Sequence, residues 1–415
     1  MQIAGIICEY NPFHLGHLSL IAETRRQGAT HIAAVMSGNF VQRGEPALLE
    51  KRARARQALL CGADLVIELP LPWAMAGAEA FARGGVFLLG CLGAQVISFG
   101  SECGDADALA ALADCLLSPG LSPVLREELA AGCTFARARE RAVERLAGAQ
   151  AAALLQSPNN TLGVEYCKAL RTLQAPMRVF TMRRVGAAHD SPDAGAGTAS
   201  ASLIRSLAAE GGYERFMPPP AAEILRAELE AGRAPASAVR MERAVLAKLR
   251  TMGPEAFAAL PDVSEGLENR LSAAVRRASG LEELYAAVKT KRYTLARVRR
   301  LVFSAFLGLT AAHCAGLPPY VRILGINRRG EEILRVSKIT TKRPIVANSS
   351  DILSLDKFAR NVIELESKST DLYSLFLPNP GPCGLEWTAG ICKIRDESQL
   401  PFQHDSVSFA GFPQE

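Results

Sequence analysis

The sequence predicts an α/β fold, with a doubly wound parallel-sheet domain over residues 1–212 followed by a mainly helical, basic domain over residues 213–377. Two observations carry this reading. In the first half, short and nearly continuous apolar runs alternate with stretches rich in Ala, Leu, Glu and Arg, the pattern of strands covered on both faces by crossover helices. At Pro218-Pro219-Pro220 the alternation stops, and amphipathic helical spacing takes over.

The first strand is Ile3 to Cys8, followed by a turn and a helix from Leu15 to Arg26. His31 to Met36 is the second strand. Leu65 to Leu69 is the third, announced by the helix-ending Cys61-Gly62-Ala63-Asp64. Gln95 to Phe99 and Met177 to Met182 complete the set of five, with helices over 46–61, 77–91, 104–116 and 160–173. Beyond the prolines, helices are expected over 221–232, 236–251 and 281–290, a mixed segment over 321–347, and another helix over 351–367. From Pro378 periodicity is lost, so 378–415 reads as a flexible tail.

Composition narrows the function classes. Hydrophobic residues at 49% and charged residues at 21% describe a globular chain rather than a disordered one. The ten cysteines form no C-x-x-C pair and share no zinc-finger spacing with the six histidines, which argues against a disulfide scaffold or a zinc module and for no dedicated metal site. The start, Met-Gln-Ile-Ala-Gly-Ile-Ile-Cys-Glu, lacks a basic segment and a signal-length apolar run, and no later stretch is suited to span a bilayer. A cytoplasmic protein with no membrane partner is expected. The net charge of +5 permits a nucleic-acid partner without requiring one.

The densest chemical signal is Glu9-Tyr10-Asn11-Pro12-Phe13-His14-Leu15-Gly16-His17, where the first strand hands over to the first helix. Open α/β sheets bind ligands at such a place. His14 and His17 are three apart, so a helical first turn puts both imidazoles on one face. Gly16 leaves room for a nucleotide to approach the backbone. The free N–H groups and positive end of that helix favour phosphate, and two imidazoles there can donate to phosphate oxygens as charge builds. A plain turn with two exposed histidines is the competing reading.

Five further segments stand at the ends of strands or the start of a helix. Thr198-Ala199-Ser200-Ala201-Ser202-Leu203-Ile204-Arg205 follows the fifth strand; Ser200 and Ser202 can cap a helix and Arg205 can reach toward phosphates. Ser37 to Pro46 follows the second strand and is dense in polar residues and glycine. Gly100, in Phe99-Gly100-Ser101-Glu102, would let adenosine lie against the chain. Ser157-Pro158-Asn159-Asn160 begins a helix, and Arg183-Arg184 follows the fifth strand. His189-Asp190 reads equally as loop polarity or substrate contact, and His313-Cys314 as core. In the second half, Lys289, Lys291, Arg292, Arg297, Arg299 and Arg300 crowd around Tyr293 with no acidic residue between them, which suits an RNA backbone. Arg328, Arg329, Arg335, Lys338, Lys342 and Arg343 add a second basic stretch. A solvated helix face is the bland alternative.

Taken in order, the segments at 9–17, 37–47, 65–70, 99–102, 157–160 and 289–294 resemble the bacterial tRNA(Met) cytidine acetate ligases, of the Rossmann-like H-x-G-H nucleotidyltransferase superfamily, from residue 1 to about 375. The resemblance implies that acetate attacks the α-phosphate of ATP to give acetyl-adenylate. The N4 amine of the wobble cytidine of elongator tRNA(Met) then takes the acetyl group. It also implies an ATP site along Ile7, Cys8, Glu9, Tyr10, Asn11, Pro12, Phe13, His14, Leu15, Gly16, His17, Leu18, Ser19 and Leu20, with Gly100, Asn159 and Arg184. His14, His17, Ser202 and Arg205 are the expected catalytic residues, the six basic residues at 289–300 the expected RNA contacts, and Mg²⁺ the expected companion of ATP. Leu15 departs from the family, where Asn is common; it should point away from the phosphates. Two other readings use the same site: a mononucleotide adenylyltransferase of cofactor biosynthesis, and a non-enzymatic RNA-binding protein on this fold.

Overall fold

The computed structural model describes residues 1–184, 200–264 and 266–395. Its strands are β1 (Ile3–Cys8), β2 (His31–Ser37), β3 (Phe40–Val41), β4 (Glu45–Pro46), β5 (Leu65–Leu69), β6 (Val96–Ser101), β7 (Arg178–Arg183), β8 (Val321–Ile326), β9 (Ile345–Val346) and β10 (Cys392–Lys393). The main sheet runs β10-β8-β5-β2-β1-β6-β7, and β9 pairs with β8. From β5 to β7 every pairing is parallel. Strand order progresses one way from β1 through β2 to β5 and the other way through β6 to β7, so the switch point lies between β1 and β6.

Alternation along the strands builds two cores. Ile3 and Ile7 of β1 and Ala33 and Val35 of β2 face a layer containing Phe81, Leu89 and Val164. Ala4, Ile6, Ile32 and Ala34 face the opposite layer, with Ile21 from the helix Leu15–Arg26 and Leu59 from the helix Lys51–Leu60. The first strand and first helix keep the limits read from sequence. The helices Leu121–Ala130, Phe135–Ala147 and Ala149–Leu154 fill a stretch to which the sequence reading assigned nothing.

Beyond the prolines, helices including Glu242–Arg250, Leu267–Arg277, Leu281–Val288 and Leu295–Leu307 pack around Val245, Leu249, Leu271, Val302 and Phe303. The chain then returns to the first half. Strand β8 pairs antiparallel with β5, and the helix Arg328–Thr340 covers the sheet, where the Ser337 hydroxyl donates to the Cys91 carbonyl at 3.0 Å. Strand β10, inside the stretch read as tail, pairs parallel with β8. A four-residue helix at Leu385–Thr388 and a two-residue strand are too short to show periodicity, which is why the sequence there looks structureless. Residues 396–415 lie outside the described residues. No single helix among the described residues is long and apolar enough to cross a membrane.

Candidate active site

A cleft opens at the carboxyl ends of β1 and β6, at the switch point. Its wall takes Ile7, Cys8, Glu9, Tyr10, Asn11, His14, His17 and Leu20 from the first strand, turn and helix, with Gly100, Asn159, Arg184, Ser202 and Arg205. All four expected catalytic residues are therefore brought together. Of the expected nucleotide-binding stretch, Pro12, Phe13, Leu15, Gly16, Leu18 and Ser19 stay out of the wall.

The histidines are organised by the helix start itself. His14 is the N-cap of Leu15–Arg26, and its Nδ1 accepts the backbone N–H of Gly16 at 3.0 Å. In return, Nδ1 of His17 accepts the backbone N–H of His14 at 3.2 Å, a capping box built from imidazoles. The two rings stack with centroids 3.7 Å apart. A neutral imidazole whose Nδ1 lone pair is engaged carries its proton on Nε2. Both rings are thus fixed as Nε2–H donors. Gly16 has a different reason from the one its spacing suggested: a Cβ there would sit 2.9 Å from Cε1 of His14, so glycine makes room for the capping ring.

Burial, and behind it the Arg184 guanidinium, holds His14 at about 3; burial, His14 and Arg184 hold His17 well below its usual value. An unfolded histidine takes its proton near 6.5, so the unfolded chain binds more protons below that pH and stability falls as the medium is acidified. Ring-nitrogen NMR is expected to show both histidines neutral with the proton on Nε2 from neutral pH down to about 5, below the ordinary histidine midpoint. A titration of either ring with that ordinary midpoint would contradict the assignment.

The start of the helix Ala201–Leu207 forms another side of the cleft. Ser200 caps the helix Ala201–Leu207 by accepting the N–H of Leu203 at 3.2 Å, and its hydroxyl lies 2.9 Å from that of Ser202. Arg205 donates to the carbonyl of Asn11 at 3.0 Å, tying this helix to the turn after β1. Thr198, Ala199, His189 and Asp190 lie outside the described residues. On the other side, Glu102 accepts from the Asn159 side chain at 2.7 Å, and the Arg184 side chain lies across Gly100, where a Cβ would meet its Cγ at 3.2 Å.

The sequence matches the HIGH Nucleotidyl Transferase family over residues 1–383. It is 38% identical over 412 residues to the tRNA(Met) cytidine acetate ligase of Acetivibrio thermocellus, covering 94% of this chain and 99% of that protein. The chain belongs to the tRNA(Met) cytidine acetate ligase family of HIGH nucleotidyl transferases. Two crystal structures of Thermotoga maritima TmcAL share its fold. The apo form matches with a TM-score of 0.91 at 33% identity, and the form bound with alpha-thio ATP with 0.89 at 32%, each covering 95% of this chain and 100% of the other.

The six basic residues expected of this family's RNA contacts divide into two groups. Lys289, Lys291 and Arg292 are exposed, ahead of the helix Leu295–Leu307. Arg297, Arg299 and Arg300 are half-buried and engaged within the protein. Arg297 donates to the Asp262 carbonyl at 2.7 Å, and Arg300 lies 3.2 Å from the Asp262 carboxylate. Arg299 lies 3.5 Å from Glu45. The β3–β4 hairpin is what joins this helix to the cleft. Gly44, at φ 71°, rests against the backbone of Arg299 and Arg300, Glu45 also faces Arg205 at 3.6 Å, and Arg300 donates to the Gln42 carbonyl at 3.4 Å.

Sequence reading passed over the groups that hold this architecture. Arg54, fully buried, donates to the carbonyls of Glu9 at 2.6 Å, Ser37 at 3.1 Å and Leu49 at 3.0 Å, and also to that of Gly38. It fixes both the turn after β1 and the loop after β2. Phe81, Leu162 and Tyr166 also line the cleft; as apolar or aromatic residues of helices they carry no signal that separates them from core.

Proposed function

We propose that this chain is an ATP-dependent tRNA(Met) cytidine acetate ligase of the cytoplasm, which forms acetyl-adenylate and acetylates N4 of the wobble cytidine of elongator tRNA(Met). The observation that carries the chemistry is the pair of neutral Nε2–H imidazoles beside Ser202 and Arg205 at the switch point. The family carries the substrates: the Acetivibrio relative bears this name, and the Thermotoga structure holds an ATP analogue.

In this reading adenosine lies against Gly100 and Asn159, with Leu162 and Phe99 as its apolar wall, and the phosphates reach the imidazoles. An acetate oxygen attacks the α-phosphorus and pyrophosphate leaves. His14, His17, Ser202 and Arg205 stabilise charge on the phosphates as it builds, as preorganised donors do. Among the described residues no three His, Cys, Asp or Glu side chains are grouped to hold a metal ion, so magnesium would arrive on the phosphates of ATP rather than in a protein cage. Lys289, Lys291, Arg292, Arg297, Arg299 and Arg300 form the face that receives tRNA, and the hairpin leads from it to the cleft.

Incubation of the protein with ATP, acetate and an unmodified elongator tRNA(Met) transcript is expected to yield N4-acetylcytidine on nucleoside digestion, and none when any one component is omitted. Loss of ATP to a mononucleotide acceptor, with no acetylated nucleoside in the complete mixture, would replace this reading with a mononucleotide adenylyltransferase.

A further inference from the structure

The second half-reaction raises a demand that the residues assigned so far do not meet. The exocyclic amine of cytidine is conjugated with the ring and weakly basic, so it must lose a proton as it attacks the acetyl carbonyl. His14 and His17 cannot take that proton, because each Nδ1 lone pair already accepts a backbone N–H and each Nε2 already carries hydrogen. Arg43, Arg184 and Arg205 present only donor N–H groups to the cleft. Among the described residues two carboxylates line the cleft, Glu9 and Glu45.

These two differ in how they are held. Glu45 is flanked by Arg205 at 3.6 Å on one oxygen and Arg299 at 3.5 Å on the other. Glu9 accepts the backbone N–H of Gln42 at 2.9 Å through Oε1, and its Oε2 takes no hydrogen bond from any described residue. The backbone of Glu9 is anchored by Arg54. Gln42, which clamps the carboxylate, also gives its carbonyl to Arg300 of the basic helix, so the side from which RNA would approach and the Glu9 carboxylate meet at one hairpin.

We infer that Glu9 is the proton acceptor of the acetyl-transfer step, an assignment that rests on the ligase reading above. The amine lone pair forms the C–N bond, and the N–H proton passes to Oε2 of Glu9. The tetrahedral carbon then collapses, its C–O bond to phosphate breaks, and AMP leaves with the electron pair. Glu9 returns the proton to water. Burial raises the Glu9 carboxyl above its ordinary 4.5, against the smaller opposing pull of its Gln42 bond, Arg205 and Arg43, which makes it a stronger base than an exposed glutamate.

The test compares single-turnover acetyl transfer to tRNA(Met) transcript with acetate-dependent pyrophosphate exchange, across the acidic to neutral range, in the wild type, Glu9→Gln and Glu9→Asp. General-base removal is expected to lower the ratio of transfer to exchange by about 10²-fold or more in Glu9→Gln. The acidic limb of the wild-type transfer profile should disappear with it, and Glu9→Asp should recover part of both. A ratio within a few-fold of wild type with the acidic limb intact overturns the assignment. So does an equal loss of exchange and transfer in Glu9→Gln, which would make Glu9 a nucleotide-binding group. A wild type that performs neither half-reaction removes the ligase reading, and this inference with it.

Discussion

Replacing His17 with alanine is expected to lower acetate-dependent pyrophosphate exchange by about 10²–10³-fold, the usual cost of deleting one preorganised donor to a developing oxyanion. His17 presents Nε2–H because its Nδ1 is committed to the backbone of His14, so the substitution removes a donor with a fixed direction rather than a titrating base. The effect should therefore be on turnover, and it should not change shape with pH between the acidic and neutral ranges. The fold should tolerate the change. What is lost structurally is one cap interaction, about 1 kcal/mol, readable as a shift of a few degrees in Tm. A variant that keeps exchange within a few-fold of wild type would remove the imidazole pair from the mechanism.

Lys51→Met is expected to have the largest effect on stability, about 3–5 kcal/mol, because removing one partner of a buried ion cluster strands the others. Lys51 is completely buried, with its Nζ 2.7 Å from Glu68 of β5 and 2.7 Å from Glu386 of the short helix near the C-terminus. Glu366, from the helix Lys357–Ser374, lies 3.9 Å away and accepts the N–H of Leu71. Burial opposes the charge on Lys51, but Glu386, Glu68 and Glu366 outweigh it and keep the amine protonated. Burial likewise opposes ionisation of Glu386, yet Lys51, Arg52 and Arg322 hold it down at about 2. A carboxylate with a depressed folded value stabilises above the unfolded value of 4.5 and loses that contribution as pH falls toward 2. Glu366 moves the opposite way, pushed up by burial and Glu68. The isolating comparison is Glu386→Gln against wild type in denaturant: its deficit should be full at neutral pH and shrink as the medium falls below about 4.5. A deficit independent of pH would mean that the cluster does not hold Glu386 by charge.

The same cluster shows what the sequence could and could not disclose. In the first hundred residues the strands are continuous apolar runs, and His14, Gly16 and His17 stand at a strand-to-helix junction, so both fold and site were legible there. The helix Lys51–Leu60 misleads, because its Lys-Arg-Ala-Arg-Ala-Arg-Gln start reads as a solvated basic face. Lys51, Arg54 and Gln57 recur at a spacing of three, and all three are buried against carboxylates and carbonyls. The available clue was Glu68 inside Leu-Val-Ile-Glu-Leu, since a charge in a buried strand requires a partner. Strand β8 was hidden for a different reason: a short apolar run interrupted by Arg322 does not by itself separate strand from helix, and its pairing with β5 spans more than 250 residues of sequence. The division of the basic run into exposed Lys289, Lys291 and Arg292 and anchored Arg297, Arg299 and Arg300 depends on Asp262 and Glu45, which only the tertiary fold brings near.

The central claim is that acetate attacks the α-phosphate of ATP. The most direct measurement uses acetate labelled in both oxygens with heavy isotope, complete turnover onto tRNA(Met), and mass analysis of the AMP released. The account predicts one labelled oxygen in the AMP phosphate, because the attacking oxygen stays on phosphorus when the amine takes the acetyl carbon. Acetylated tRNA accompanied by unlabelled AMP, or by ADP and phosphate, would contradict it.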